Sequence, residues 1–189
     1  GANGALALGS GLRLRASYGE GFKTPTLYQL YSFYGDVDLS PERSEGYDVG
    51  IEKGSRDGPF FAALSLFRRD STNLIDFDLA ENVYYNVGKA RAQGVEIELG
   101  ARPDENLRLG LVYSLLDTED RTSGGSFEGN DLNRRPDNAL TAMIDWASPV
   151  GLMLGTDVRL VGDSFDDRGN AVRLDGYVTV DLRASLPIG

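Results

Sequence analysis

The chain has 189 residues and a formal net charge of −10, with 24 glycines, 9 tyrosines and 8 phenylalanines. The acidic balance excludes nucleic-acid binding, which needs a basic surface. Cysteine and histidine are absent, which excludes disulfides, thiolate nucleophiles, Ser-His-Asp triads and most zinc sites. No run of 18 apolar residues predicts a transmembrane helix, and no residue pattern indicates an enzyme or a cofactor site.

Apolar and polar residues alternate with a period of two along most of the chain, and this pattern predicts β-strands. The clearest run covers residues 172–186, whose even positions are apolar or glycine and whose odd positions are polar, Tyr177 included. Strands in globular proteins average about 5–6 residues, whereas a strand that crosses a membrane needs ~9–11. The sequence predicts eight strands in chain order: 11–18, 44–53, 59–70, 83–102, 106–116, 135–147, 152–162 and 172–186.

The connections between these strands alternate in length. Short polar breaks are predicted at 54–59, 102–106 and 148–151, and longer segments at 19–43, 71–82, 117–133 and 163–171. A short helix is predicted within residues 26–34 of the first long segment. Strictly alternating short and long connections are typical of outer-membrane barrels, which have short periplasmic turns and longer external loops. The sequence therefore predicts an all-β, antiparallel, up-and-down meander.

The alternation also predicts which side chains face lipid. The apolar set should lie on the convex side of a curved sheet, and the charged residues of the last strand on the concave side. The first set is Leu107, Leu109, Leu111, Val178, Val180 and Leu182; the second is Arg173, Asp175 and Asp181.

Three motifs resemble those of TonB-dependent outer-membrane receptors. The stretch from Tyr18 to Tyr31 resembles a strand that ends in Phe-Lys/Arg-x-Pro before Leu-x-x-Leu-Tyr. The stretch from Leu39 to Ser44 is similar to the family's Leu-x-Pro-Glu-x-Ser. The stretch from Asn86 to Glu96 is similar to its Asn-x-Gly-x-Ala-x-x-x-Gly-Val-Glu strand.

The resemblance implies that residues 1–189 are part of a transmembrane barrel of about 22 strands with a plugged lumen. We expect the plug domain, the final strands and the N-terminal segment that contacts TonB to lie outside this chain. The implied partners are that plug domain, TonB through the missing N-terminal part, and outer-membrane lipid and lipopolysaccharide. The implied location is the bacterial outer membrane, and the implied function is active import of a large, scarce nutrient.

The identity of the nutrient is predicted from short sequence segments and from the charge of the loops. The segments 30–35, 73–78 and 84–91 resemble the cobalamin-receptor branch of the family. The loops are acidic, which disfavours anionic ferric complexes, so cobalamin is the first expectation. A ferric-siderophore receptor of the same family is the alternative. A complete eight-stranded outer-membrane or ligand-binding barrel remains a further alternative.

Candidate ligand-binding residues fall into two groups. The aromatic side chains offer flat contact area to a large ligand, although an aromatic girdle or loop core is the simpler reading of them. The two arginines stand at the end of the third long loop. The alternation of strand β-positions, counted back from Leu140, predicts that Arg135 points inward, whereas the family resemblance implies that Arg134 faces the substrate. Anchoring of the loop is the simpler role for both residues. The candidates are Tyr31, Phe33, Tyr34, Tyr84, Arg134 and Arg135.

No metal site is predicted. The acidic residues of the last long segment fail the calcium-loop pattern, because Phe165 occupies a ligand position.

Overall fold

A computed structural model describes residues 1–187 of the chain. One short helix, α1 (Leu27–Tyr31), is present in these residues, where the sequence predicts it. The strands are β1 (Ala2–Gly9), β2 (Leu12–Lys23), β3 (Glu42–Gly54), β4 (Phe60–Asp78), β5 (Val83–Ala101), β6 (Leu107–Asp120), β7 (Asn138–Ala147), β8 (Met153–Val161), β9 (Ser164–Phe165), β10 (Arg173–Leu174) and β11 (Tyr177–Ser185).

Nine of these strands form one antiparallel sheet in the order β1-β2-β3-β4-β5-β6-β7-β8-β11, while β9 and β10 form a separate small hairpin. The predicted all-β meander is confirmed, and its strand count is corrected from eight to nine. Within residues 1–187, β1 and β11 are the two edges and do not pair with each other. The alternative of a closed eight-stranded barrel is therefore wrong.

Strand β1 is the element that the alternation missed. Its sequence is rich in alanine and glycine, so the apolar–polar contrast is weak there. Residues Ser10 and Gly11 connect it to β2 with positive φ angles of 51° and 72°. Two consecutive positive φ angles characterise the tight hairpin turn whose twist matches antiparallel strands.

The register places the apolar residues on one continuous face. Val180 lies opposite Val158, which lies opposite Ala142, and Ala142 lies opposite Leu111. Directly opposed residues share a face, so the predicted apolar set of β6 and β11 is confirmed as one surface. Asp181 lies on the other face, as predicted.

The polar face is the concave one. On β4, the outward Leu64 and Leu66 are 41% and 49% exposed, whereas the inward Ala63 and Ser65 are only 8% and 6% exposed. No second layer covers either face in the described part of the chain, so curvature must crowd the inward side chains.

The last strand corrects the predicted boundary. Residues 172–186 do not form one strand, because β10 turns away into the small hairpin and the sheet resumes only at Tyr177. Arg173 pairs with Asp163 within that hairpin, and Asp175 lies between β10 and β11. The prediction that Arg173 and Asp175 belong to the last strand is therefore wrong.

The connections confirm the alternation of short and long, with one correction. Residues 71–82 are not a loop: β4 and β5 have 19 residues each and pair up to Asp78 and Val83. Only residues 79–82 connect them, so this hairpin extends beyond its neighbours at the long-loop end. Among the described helices, none is long and apolar enough to cross a membrane.

Candidate functional site

The first long loop, residues 24–41, is shaped by a capped helix. The Thr26 hydroxyl accepts a hydrogen bond from the Gln29 backbone N–H at 3.2 Å, and the Gln29 side chain accepts one from the Thr26 N–H at 2.9 Å. This reciprocal arrangement fixes the start of α1. The helix thereby holds Tyr28 and Tyr31 at the long-loop end of the sheet.

Five aromatic rings form a continuous group, defined here as the aromatic cluster. Ring centroids are 6.2 Å apart for Tyr28 and Tyr84, 5.0 Å for Tyr84 and Phe77, 5.9 Å for Phe77 and Tyr34, and 5.3 Å for Tyr34 and Phe33. The Tyr84 N–H also donates to the Tyr34 carbonyl at 2.9 Å. The loop is thus attached to the β4–β5 hairpin.

The aromatic cluster contains three of the four predicted aromatic candidates and two residues that were not among them. Phe33, Tyr34 and Tyr84 are brought together, whereas Tyr31 lies on α1 and is not within stacking distance of the cluster. Phe77 is not among the predicted candidates because the sequence predicts a loop at residues 71–82. The alternation of apolar and acidic residues from Ile75 to Asp78 is the signal that could have identified it as part of a strand.

Arg134 anchors two loops to each other. It has a positive φ of 55°, and its backbone N–H donates a hydrogen bond to the Phe165 carbonyl at 2.7 Å. Its Nε lies 2.8 Å from Oδ1 of Asp166. The left-handed backbone and the start of β7 at Asn138 make strand parity from Leu140 inapplicable here.

Arg135 has weaker partners. Its Nη1 donates to the carbonyls of Asn133 and Arg134 at 3.4 Å each. Within residues 1–187 it forms no ion pair with a carboxylate. The exposed guanidinium of Arg135 is therefore more available to a ligand than that of Arg134.

Arg168, in the loop after β9, was not predicted. Its Cζ lies 4.0 Å from the ring centroid of Tyr85 and 4.4 Å from that of Phe127, and its Nη1 lies 3.5 Å from Oδ2 of Asp78. A guanidinium beside two rings gains cation–π stabilisation from each. These contacts join three segments that are distant in sequence, so no local pattern could have predicted them.

The β4–β5 hairpin separates the aromatic cluster from Arg168. Phe77 lies directly opposite Tyr84, and Asp76 lies directly opposite Tyr85. Consecutive residues of a strand point to opposite sides, so the cluster lies on one side of the hairpin and Arg168 on the other. Arg134 and Arg135 belong to the Arg168 side through the loops that they join.

The acidic residues of the last long loop serve local structure. The Asp167 carboxylate accepts backbone N–H groups of Gly169, Ala171 and Val172 at 2.7–3.0 Å. These bonds, the one from Val172 above all, hold the pKa of Asp167 below its usual value. The Gly176 N–H and the Arg173 guanidinium likewise lower the pKa of Asp163.

Within residues 1–187, no group of three or more acidic, cysteine or histidine side chains is placed to hold a metal ion.

A family model described as "TonB dependent receptor-like, beta-barrel" matches residues 2–189. The ferric yersiniabactin uptake receptor FyuA of Yersinia pestis superposes with a TM-score of 0.75 at 21% identity, over 95% of this chain and 28% of that one.

Two further solved structures are similar. The siderophore receptor PiuA of Acinetobacter baumannii has a TM-score of 0.76 at 19% identity, over 98% of this chain and 29% of its own. The copper transporter OprC has a TM-score of 0.73 at 16% identity, over 97% and 30% respectively. At these identities the superpositions show the fold alone. The chain spans less than a third of the length of these three proteins.

Proposed function

Because this chain belongs to the TonB-dependent receptor β-barrel family, we propose that it forms part of the wall of a receptor that imports a ferric siderophore. The location is the bacterial outer membrane. In this proposal the ligand binds at the long-loop end, and energy from TonB moves a plug domain contributed by the rest of the receptor.

The inward charges of β2 and β3 support the presence of a plug. Arg13 Nε donates to Glu52 at 2.9 Å, and Arg15 lies 3.3 Å from Glu52 and 3.6 Å from Asp48. Glu52 is 6% exposed even without a neighbouring domain. A lumen wall of paired charges is hydrated and can exchange hydrogen bonds with a polar domain, which suits a plug that must move.

The exposed aromatic cluster is the observation that carries the ligand proposal. Within the cluster, Phe33 is 95% exposed and Tyr28 is 58% exposed, so these two rings do not form a loop core. Rigid aromatic side chains contribute large contact areas at low entropic cost. A bulky ligand with aromatic or flat chelating groups fits this surface.

Ion pairing in the loops weakens the charge argument for cobalamin. The sequence argument for cobalamin used the acidity of the loops. In the structure, Asp166 and Asp78 are paired with Arg134 and Arg168, and Asp167 is occupied by backbone N–H groups. The exposed Arg135, on the side of the β4–β5 hairpin opposite the aromatic cluster, remains as a cation for an anionic complex and would be a contact separate from that cluster.

The cobalamin-like phrases have a structural explanation. Asn86 exchanges hydrogen bonds with the Ser40 backbone at 2.8 and 3.1 Å and donates to the Asn73 carbonyl at 2.8 Å. These residues hold the first loop against the β4–β5 hairpin, which any substrate class could require. Because of the resemblance of these segments, cobalamin is the second candidate ligand.

Uptake by the full-length receptor tests the proposal. Cells that lack their other receptors would be given radiolabelled iron on a panel of siderophores and, separately, labelled cobalamin. We expect saturable iron uptake that depends on TonB, and no cobalamin uptake. Cobalamin uptake without iron uptake would refute the siderophore proposal and favour the second candidate.

A further inference from the structure

Most charged side chains on the inner face of β2, β3 and β4 form ion pairs with one another. On the part of these strands below Asn73, toward the short-turn end, the paired residues are Arg13, Arg15, Lys23, Glu42, Asp48 and Glu52. Arg69 lies on the same face as the inward Ser65, because the register of β4 is unbroken between them and alternate residues of a strand share a face. Within residues 1–187 it forms no ion pair, and its Nη2 donates to the Ser44 hydroxyl at 3.2 Å.

Arg69 lies in a row with two glycines. Gly46 lies directly opposite it on β3, and Gly19 lies directly opposite Gly46 on β2. Both glycines are within strands, and neither has a positive φ. A Cβ at Gly46 would meet its nearest atom, the Gly19 carbonyl oxygen, at 3.9 Å, and a Cβ at Gly19 would meet nothing within 4 Å. Neither the backbone conformation nor the packing within this chain therefore requires glycine at these two positions.

Glycine within a strand needs a reason. It loses more backbone entropy on folding than other residues and offers no side chain for packing. A strand glycine commonly marks a place where another backbone or a ligand approaches closely. Two independent features thus point to a partner at the same row: a cation without a counter-ion at Arg69, and open space beside it at Gly19 and Gly46.

The lumen determines what this partner must carry. A receptor barrel of about 22 strands has a plugged lumen, and the plug displaces water from the wall that it contacts. A guanidinium that loses its water without gaining a carboxylate is strongly unfavourable. Strand β5 supplies no carboxylate to Arg69, because the residue opposite it there is Ala92. The partner should therefore be acidic.

We infer that the plug domain of the full-length receptor places an acidic segment against this row. An Asp or Glu carboxylate of that segment binds the Arg69 guanidinium, and the backbone of the segment lies over Gly19 and Gly46. This ion pair stabilises the resting position of the plug and must break when the plug moves. The inference rests on the proposed receptor architecture and is independent of which nutrient is imported.

Amide exchange of the plug tests the contact in the purified full-length receptor, in lipid nanodiscs without substrate. Arg69→Gln should make the amides of one plug segment exchange about tenfold faster, because a charge-assisted hydrogen bond is lost. Arg69→Lys keeps the charge and should have a smaller effect. Arg68→Gln is the matched control and should leave the plug unchanged, because Arg68 faces lipid and pairs with Asp70 at 2.7 Å.

Gly46→Val separates close approach from charge. Valine favours strand structure, so the barrel should still fold, but the new side chain should displace the same plug segment and speed its exchange. Gly4→Val is the matched control. Gly4 is also a strand glycine with no atom within 4 Å of its Cβ position, and it lies on the lipid-facing side opposite Ala16. Heat-modifiable gel mobility shows whether the barrel of each variant is folded.

Crosslinking identifies the plug segment. A benzophenone amino acid at Ala92, beside Arg69, is activated by ultraviolet light, and the crosslinked peptides are determined by mass spectrometry. We expect a plug peptide that contains Asp or Glu and coincides with the segment whose exchange rises in Arg69→Gln.

Three results would overturn the inference: unchanged plug exchange in Arg69→Gln, unchanged plug exchange in Gly46→Val, or a crosslinked segment without an acidic residue. If Arg69→Gln leaves the plug unchanged and lowers uptake of labelled iron instead, Arg69 contacts the substrate and the inference is wrong. The exchange and crosslinking experiments use no substrate, so their outcome is distinguishable from failure of the siderophore proposal.

Discussion

Arg134 and Arg135 are adjacent in sequence but differ in their partners, and this difference predicts different roles. Arg135→Gln should weaken binding of the proposed ferric ligand about tenfold, because it removes an exposed cation without breaking an ion pair. Arg134→Gln should weaken it less and loosen the loops joined through Asp166. Ligand titration by intrinsic fluorescence measures the first effect, and amide exchange of residues 163–168 measures the second.

An equal loss of affinity in the two variants, with unchanged loop exchange, would contradict this division of roles.

Asp167 makes the last long loop sensitive to acid. Its pKa is lower in the folded protein than the usual value of about 3.9, because Val172 and its neighbours donate hydrogen bonds to the carboxylate. A lowered pKa stabilises the folded loop above the unfolded value, and this stabilisation is lost as pH falls through the folded pKa. We expect faster intrinsic-rate-corrected exchange of the Gly169, Ala171 and Val172 amides below about pH 4.

The variant Asp167→Asn supplies the comparison for this pH effect. Its amide cannot titrate, so exchange of the same three amides should not depend on pH in that range beyond the intrinsic rate. A pH dependence that persists in Asp167→Asn would assign the effect to another group.

At the scale of elements, Arg168 joins the last long loop to the β4–β5 hairpin and to the loop after β6. Arg168→Leu removes two cation–π contacts and an ion pair, together on the order of 1–3 kcal/mol. Amides of residues 127–133 and 163–172 should exchange about tenfold faster or more. Arg121→Leu, which loses only an exposed 3.7 Å pair with Glu119, is the control.

If exchange in these loops rises no more in Arg168→Leu than in Arg121→Leu, Arg168 does not join them.

The elements also show what the sequence could predict. Alternation located the strands of the main sheet that have clear apolar–polar contrast, and the capping pair Thr26 and Gln29 accompanies the predicted helix. The alternation did not locate β1, where alanine and glycine give little apolar–polar contrast. It also did not locate the strand residues 71–78, where Asn73 with its positive φ resembles a turn. Those residues are strand because β5 pairs with them.

The candidate site was predictable only in part. Phe33 and Tyr34 stand close together in sequence, and their clustering could be expected. Arg168 and Tyr85 are 83 positions apart in the numbering and meet only because two loops fold toward one hairpin. Side-chain pairing across loops depends on tertiary structure that no local period encodes.

For the whole molecule, the two faces of the sheet predict opposite responses to a buried charge. Leu111→Arg should destabilise the receptor by about 2–4 kcal/mol, because Arg near the bilayer midplane loses its hydration. Val112→Arg, one residue on, faces the lumen beside Glu98 and should be tolerated. Urea unfolding of the full-length receptor in lipid vesicles compares the two midpoints.

Equal urea midpoints, or a lower midpoint for Val112→Arg, would contradict the assignment of the Leu111 face to lipid.

The length of the β4–β5 hairpin determines how far its tip extends above the outer surface of the cell. Nineteen residues per strand give roughly 60 Å of extended chain, about twice the thickness of the hydrocarbon core. The excess at the long-loop end lifts residues 79–82 clear of the bilayer on a paired, hydrogen-bonded support. A peptide epitope inserted between Leu79 and Ala80 should therefore be bound by antibody on intact, unpermeabilised cells, which makes this tip a place for immune recognition and for surface display.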